Sequence, residues 1–269
     1  MWGDINLEEE NPGGSFSVEG KPLQYYIKKY SQLGNHVKRY KFTKPFVTGK
    51  DVIEFGCGYG AGAIILKKFF KSYLGLDIDH KAINYAKENI CTPDKKIEFM
   101  TLSEFNKVNL GRKFDVALSF EVIEHILDTD WFLSFLKLLT KKNGKIILST
   151  PNGLSSNGNK ALYRSQYHVK EYTPVEFLNI LSSHGTARFY GERRIDKMDI
   201  KTLLNRTKAL GDIKSKTEQE KASVSMGDSI FFKLANRFLN GSIFWKINSL
   251  EPTHETHLSY STIIAVLIP

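Results

Sequence analysis

The segment VIEFGCGYGAG at 52–62, followed by YLGLDID at 73–79, restricts this chain more than any other part of it. An apolar run ends in a glycine-rich turn, a helix-like stretch follows, and a second apolar run ends in Asp77. That order is a strand–turn–helix–strand unit with an acid at the tip of its second strand, the arrangement with which many α/β domains hold a nucleoside. Glycines let the backbone approach a ligand closely, and a carboxylate at that tip can accept hydrogen bonds from both hydroxyls of a ribose. Gly56, Gly58 and Ala61 alone also fit a loose dinucleotide pattern, so the turn by itself leaves the nucleoside open.

The alternation continues along the chain. DVIEF (51–55), YLGLD (73–77), KIEFM (96–100), FDVALSF (114–120) and GKIILST (144–150) read as strands, with helical patterns at 61–71, 80–90 and 128–141. TPVEFLNILSSHG (173–185) opens with a threonine cap, a proline at the first helical position and Glu176 three residues after the cap. TARFYGE (186–192) and STIIAVLIP (261–269) are the last two strand candidates. Strands alternating with helices predict an open, mostly parallel α/β sheet covered on both faces. Two regions stand outside the pattern. Residues 20–48 read as helical, with Tyr25, Tyr26, Tyr30, Leu33 and Val37 as an apolar stripe, and 193–258 reads as a helical insertion. Its aromatic part, DSIFFKLANRFLNGSIFWKI (228–247), predicts a helix packed over the cleft, the alternative being a membrane-surface helix flanked by Lys233, Arg237 and Lys246.

Composition sets the class of molecule. An apolar content of 41% excludes a disordered or fibrous chain. Cys57 and Cys91 cannot form a disulfide framework, which points to a reducing, cytoplasmic setting. Residues 1–14 are acidic and glycine-rich, unlike a signal peptide, and the longest apolar run, TIIAVLI (262–268), is too short to span a bilayer. Of the net charge of +9, residues 21–50 supply eight bases and no acid, and 193–250 supply twelve bases against six acids. Such flanks suit an anionic partner, among them a nucleotide sugar, a phosphorylated glycan, RNA or a lipid headgroup, and suit a plain solvated surface equally well.

Four signals together carry a resemblance. They are E-x-G-x-G-x-G at 54–60, Asp77, SFEVIEHI at 119–126 and GKIILSTPN at 144–152, with the two late strands as a terminal hairpin. In these the chain resembles the class I S-adenosylmethionine-dependent methyltransferases, over roughly 20–192 and the final strand. The resemblance implies a Rossmann-like doubly wound sheet, mostly parallel with an antiparallel last strand, in the order 3-2-1-4-5-7-6. It divides the chain into a covering arm (1–48), a core (49–192 and 259–269) and a lid (193–258). It implies that Glu54 and the backbone of Gly56, Cys57, Gly58 and Gly60 line the methionine end of the cofactor. Asp77 would hold the ribose, Ile78 would lie against adenine, and Phe120 and Glu121 would close the pocket. Where relatives carry an acid after strand three this chain has Thr101, Leu102 and Ser103, so backbone or hydroxyl contacts would serve. HVKRY (36–40) resembles a helix that folds over the cofactor in ubiquinone- and glycan-type members, from which Arg39 would pair with the methionine carboxylate.

On the acceptor side His125 is the candidate general base, since it follows strand four at the sheet edge. Glu121, Glu124 and His125 are spaced to project to one side of a helical turn, and His168 precedes the capped helix. This set is similar to that of small-RNA 3′-terminal 2′-O-methyltransferases, in which such residues hold a divalent cation, Mg²⁺ or Mn²⁺. The expected acceptor is a small molecule or sugar, nucleotide-linked or part of a surface glycan. The alternatives are a metal-assisted methylation of RNA ends and a methyltransferase-fold protein that binds without turnover.

Overall fold

The computed structural model describes residues 34–91, 93, 96–108, 111–154, 167–194, 242–247 and 262–269. Strands β1 (Asp51–Phe55), β2 (Ser72–Asp77), β3 (Ile97–Thr101), β4 (Phe114–Phe120) and β5 (Thr140–Pro151) alternate with helices. The helices are α1 (Gly34–Val47), α2 (Ala61–Leu66), α3 (His80–Ile90), α4 (Leu102–Val108), α5 (Thr129–Leu139) and α6 (Pro174–Ser182). Three more strands complete the sheet, namely β6 (Thr186–Arg194), β7 (Ser242–Ile247) and β8 (Thr262–Ile268). Their spatial order is β3-β2-β1-β4-β5-β8-β6-β7. The first five pair in parallel, and β8 enters antiparallel between β5 and β6. The expected seven-strand order is therefore present, with the 262–268 strand next to last.

One expectation is corrected. Residues 242–247, assigned above to a helix, are a strand paired antiparallel with β6, so the sheet has an eighth strand at its edge. The sequence SIFWKI is aromatic and β-branched, and a short apolar run of this kind does not distinguish helix from strand by periodicity. Residues 193–194 of the proposed lid belong to β6, and apart from 242–247 the rest of that segment, the N-terminal stripe before residue 34, and His254 and His257 lie outside the described residues. Among the described residues no helix is long and apolar enough to cross a membrane.

The period of two along each strand builds a core on each face of the sheet. Ile53, Phe55, Leu74, Leu76, Ile146 and Leu148 face Phe132 and Leu136 of α5 and Phe177 of α6. Their neighbours Val52, Tyr73, Ile147 and Ile264 face Tyr40 of α1, Ala63 of α2 and Ile83 of α3. The helices begin where their caps say they should. Asp79 accepts from the Lys81 and Ala82 amides, and Thr173 and Glu176 form the expected reciprocal capping box. Every parallel strand thus delivers its carboxyl end to one edge, where ligands of such sheets bind.

Candidate active site

At that edge the glycine turn leaves β1 with Gly56, Gly58 and Gly60 in left-handed conformations, at φ 77°, 50° and 80°. The turn is tied to β2, since the Gly56 and Cys57 amides donate to the Leu76 carbonyl at 2.8 and 3.0 Å. The Gly58 amide donates to Asp77 Oδ2 at 2.7 Å, and the Asp79 amide to Oδ1 at 3.0 Å. Burial raises the Asp77 carboxyl above its usual range, against the pull of these amides. A Cβ on Gly58 would meet nothing within 4 Å, so the turn opens there onto empty space beside the Asp77 carboxylate. Ile78 stands at the rim with 41% of its surface exposed. Burial, then Asp77, pushes the Cys57 thiol well above its usual range, which leaves it a filler of the turn and not a nucleophile.

Glu54 does not face this opening. It is fully buried beneath the turn, where the Tyr40 hydroxyl donates to Oε1 at 2.6 Å and the Tyr73 hydroxyl donates to Oε2. Burial, opposed by the two tyrosines, pushes its carboxyl up to about 7. Gly62 is the residue that makes room, because a Cβ there would come within 2.3 Å of Glu54 Oε2. Thr101 and Leu102 are also turned inward. The Thr101 hydroxyl and amide are both engaged by Glu104 at the start of α4, and Leu102 belongs to the core.

Arg39 and Tyr40, consecutive on α1, take different partners. Tyr40 meets Phe120 edge to face at 5.3 Å. Arg39 is buried, with Nε 2.7 Å from Glu192 Oε2 and Nη1 3.0 Å from Glu121 Oε1. Burial disfavours its charge, but the Glu121 and Glu192 carboxylates outweigh that and raise its pKa. His36, one turn earlier, is pulled down to about 4 by burial and then by Arg39, so it is neutral. Glu121 follows β4 at φ 57°, a conformation unusual for a residue with a side chain, and its Oε1 also accepts from Ser149 Oγ at 2.8 Å.

The acceptor-side residues converge only in part. Ligand atoms of Glu124, His125 and His168 lie within 4.8 Å of one another. Glu121 stands outside that group, with Arg39 and Ser149. Glu124 is fully buried, and burial followed by the Glu121 charge pushes its carboxyl up to about 9. Neither of its oxygens finds a well-formed hydrogen bond among the described residues, the Thr150 hydroxyl being only a loose neighbour. Burial lowers the pKa of His125, whose Nδ1 lies 2.8 Å from the Tyr167 carbonyl. A carbonyl can only accept, so Nδ1 carries the proton and Nε2 presents its lone pair. His168 makes the same kind of contact from Nδ1 to Glu171 Oε1, at 3.0 Å, and its ring meets that of His125 edge to face. The Val169 and Lys170 amides hold the segment by donating to the Glu124 carbonyl at 2.9 and 3.1 Å. An open groove of about 470 Å³ runs beside it, between Ile126, Leu127, Val169, Lys170, Tyr172 and Ile180.

Sequence reading overlooked Tyr40, Gly62, Tyr73, Ser149, Glu171 and Glu192. The available signal was burial pattern, since Glu54 and Glu192 are acids within otherwise apolar strands, and such acids need partners.

Known proteins resemble this chain in sequence and in fold. A probable S-adenosylmethionine-dependent methyltransferase of Mycolicibacterium smegmatis is 28% identical over 137 residues, 51% of this chain and 52% of the relative. The ubiquinone biosynthesis O-methyltransferase of Pelagibacter ubique is 29% identical over 170 residues, 60% of this chain and 66% of the relative. The chain thus spans about half the length of the first of these relatives. In fold, it superposes on a methyltransferase of Archaeoglobus fulgidus with a TM-score of 0.54 at 15% identity, over 90% of this chain and 98% of that one. A possible histamine N-methyltransferase of Thermotoga maritima gives 0.53 at 13% identity, over 91% and 95% of the two chains. The methyltransferase domain profile matches residues 27–188, more than half of the chain. The chain belongs to that family, the class I S-adenosylmethionine-dependent methyltransferases.

Proposed function

We propose that this chain methylates an oxygen of a small molecule or sugar, nucleotide-linked or within a surface glycan, in the cytoplasm. The observation that carries the reading is His125, tied through Nδ1 to the Tyr167 carbonyl so that Nε2 keeps its lone pair, and placed after β4, the strand next to the one that ends in the glycine turn. The residues present fit S-adenosylmethionine. Gly58 leaves room for a ligand against the backbone, and each Asp77 oxygen keeps a lone pair for a ribose hydroxyl. When bound, the cofactor supplies an electrophilic methyl group on a sulfonium. The backbone of Gly56, Cys57, Gly58 and Gly60 lines its methionine end, Asp77 holds the ribose, and Ile78 with the backbone of Thr101 and Leu102 borders the adenine. Phe120 and Glu121 close the pocket. Glu54 acts from beneath by fixing Tyr40 and Tyr73, and Arg39 by fixing Glu121.

On the acceptor side His125 Nε2 takes the hydroxyl proton, as a general base within hydrogen-bond reach does. An apolar part of the acceptor fits the adjoining groove, and Lys170 on its wall suits an anionic one. Radiolabelled methyl transfer to sugar and phenolic acceptors tests the reading. Transfer by the wild type that His125→Ala abolishes supports it, and transfer unaffected by that change overturns the role of His125.

A second reading rests on the cluster of Glu124, His125 and His168. The buried Glu124 carboxylate without well-formed hydrogen bonds is a fitting ligand for a divalent cation, and two imidazoles favour Mn²⁺ over Mg²⁺. Glu121 would join only by turning from Arg39. Such an ion would hold the terminal ribose diol of an RNA. Bound Mn²⁺ that His168→Ala loses, together with methyl transfer to RNA 3′ ends, would favour this reading over the first.

A further inference from the structure

We infer that Glu192 is a specificity-determining residue of the donor pocket, one that makes it prefer a cationic ligand over a neutral one. The inference rests on the proposed S-adenosylmethionine site. Glu192 lies on β6 with no exposed surface, 153 residues from Arg39 in the chain, and its Oε2 takes the guanidinium Nε at 2.7 Å. The same guanidinium reaches Glu121 Oε1 at 3.0 Å, so one cation is divided between two carboxylates that come from different strands. The pair reaches the cofactor edge through Glu121, which directly follows β4, the strand next to β1, while the residue after Arg39, Tyr40, donates to Glu54 and packs against Phe120.

Arginine does not shed its proton in a protein. Loss of the Glu192 charge therefore leaves the Arg39 charge directed at Glu121 and the pocket behind it. This holds whatever else meets Glu192, including Lys38, which also lies in its field. S-adenosylmethionine carries a sulfonium charge that S-adenosylhomocysteine lacks, while the two are otherwise nearly the same shape. A change of local potential acts on their difference, whereas a general loosening of the fold weakens both alike. A unit charge altered at a range of about 10 Å in a protein interior changes the binding of a singly charged ligand about tenfold.

The test is calorimetric titration of both ligands into the wild type, Glu192→Gln, Glu192→Asp and Arg39→Gln. The ratio of the two dissociation constants should shift about tenfold against S-adenosylmethionine in Glu192→Gln and be restored in Glu192→Asp, which keeps the charge. Arg39→Gln should shift it in the opposite direction, which gives a second variant should Glu192→Gln not fold. An unchanged ratio in both Glu192→Gln and Arg39→Gln, with both ligands still bound, overturns the inference. Failure of the wild type to bind either ligand overturns the donor assignment instead.

Discussion

The donor end and the acceptor end of the site are built differently. Around the glycine turn the polar groups satisfy one another: Asp77 is engaged by two amides and Glu54 by two tyrosines. Around His125 they do not, since Glu124 lacks a well-formed hydrogen bond and the Nδ1 contacts of His125 and His168 leave each ring its other nitrogen for new partners. A site whose groups are already paired is pre-organised for one ligand, whereas open lone pairs suit chemistry and the variable acceptors of one fold.

If the two ends are separable, variants should split them. The largest effect belongs to His125→Ala, expected to lower methyl transfer by roughly 10²–10⁴-fold, the range of a lost general base. Its affinity for S-adenosylhomocysteine, measured by calorimetry, should hardly change; a parallel loss of affinity would merge the two ends. Asp77→Ala is the reverse case, with affinity for S-adenosylhomocysteine falling by about 100-fold as two charge-assisted hydrogen bonds disappear.

Glu54 gives a pH signature confined to the donor end. Its pKa is raised on folding, from 4.5 to about 7, so the folded chain holds a proton that the unfolded chain has already lost in that window. Stability is therefore unaffected below that window and declines as pH rises through it, by about 3 kcal/mol if the full shift applies. Glu54→Gln cannot titrate there, so the melting temperature of the wild type should fall relative to the variant between about pH 5 and pH 8. Equal pH profiles would show that Glu54 is not held as described. The smallest effect is that of Gly58→Ala. Its positive φ should lower stability by about 1–2 kcal/mol, read from urea denaturation, with a further loss of donor affinity from the methyl group in the opening.

Much of the donor end is legible because its signals are contiguous. The alternation of glycines, the acid ending β2 and the capping box of α6 depend on backbone conformation within a few residues, so sequence spacing reports them. The acceptor end is legible as a set of residue types and not as an arrangement. Spacing put Glu121 with Glu124 and His125 on one helical turn. In the folded chain Glu121 takes a left-handed conformation ahead of a three-residue 3₁₀ turn, which directs it to Arg39.

By itself the sequence determined the alternating strands and helices of an open α/β sheet, the glycine turn and Asp77, and the resemblance carried by its motifs supplied the seven-strand order. Periodicity and turn chemistry are local, and crossover connections leave few alternatives. Only the tertiary structure decided what required distant segments to meet. It placed 242–247 beside β6, brought Tyr40 and Tyr73 to Glu54, and closed His125 onto Tyr167, 42 residues away. It also set Glu192 against Arg39 across 153 residues. The physical reason is burial: a charged group inside a sheet must find its partner wherever the fold brings one, and spacing along the chain carries no record of that choice.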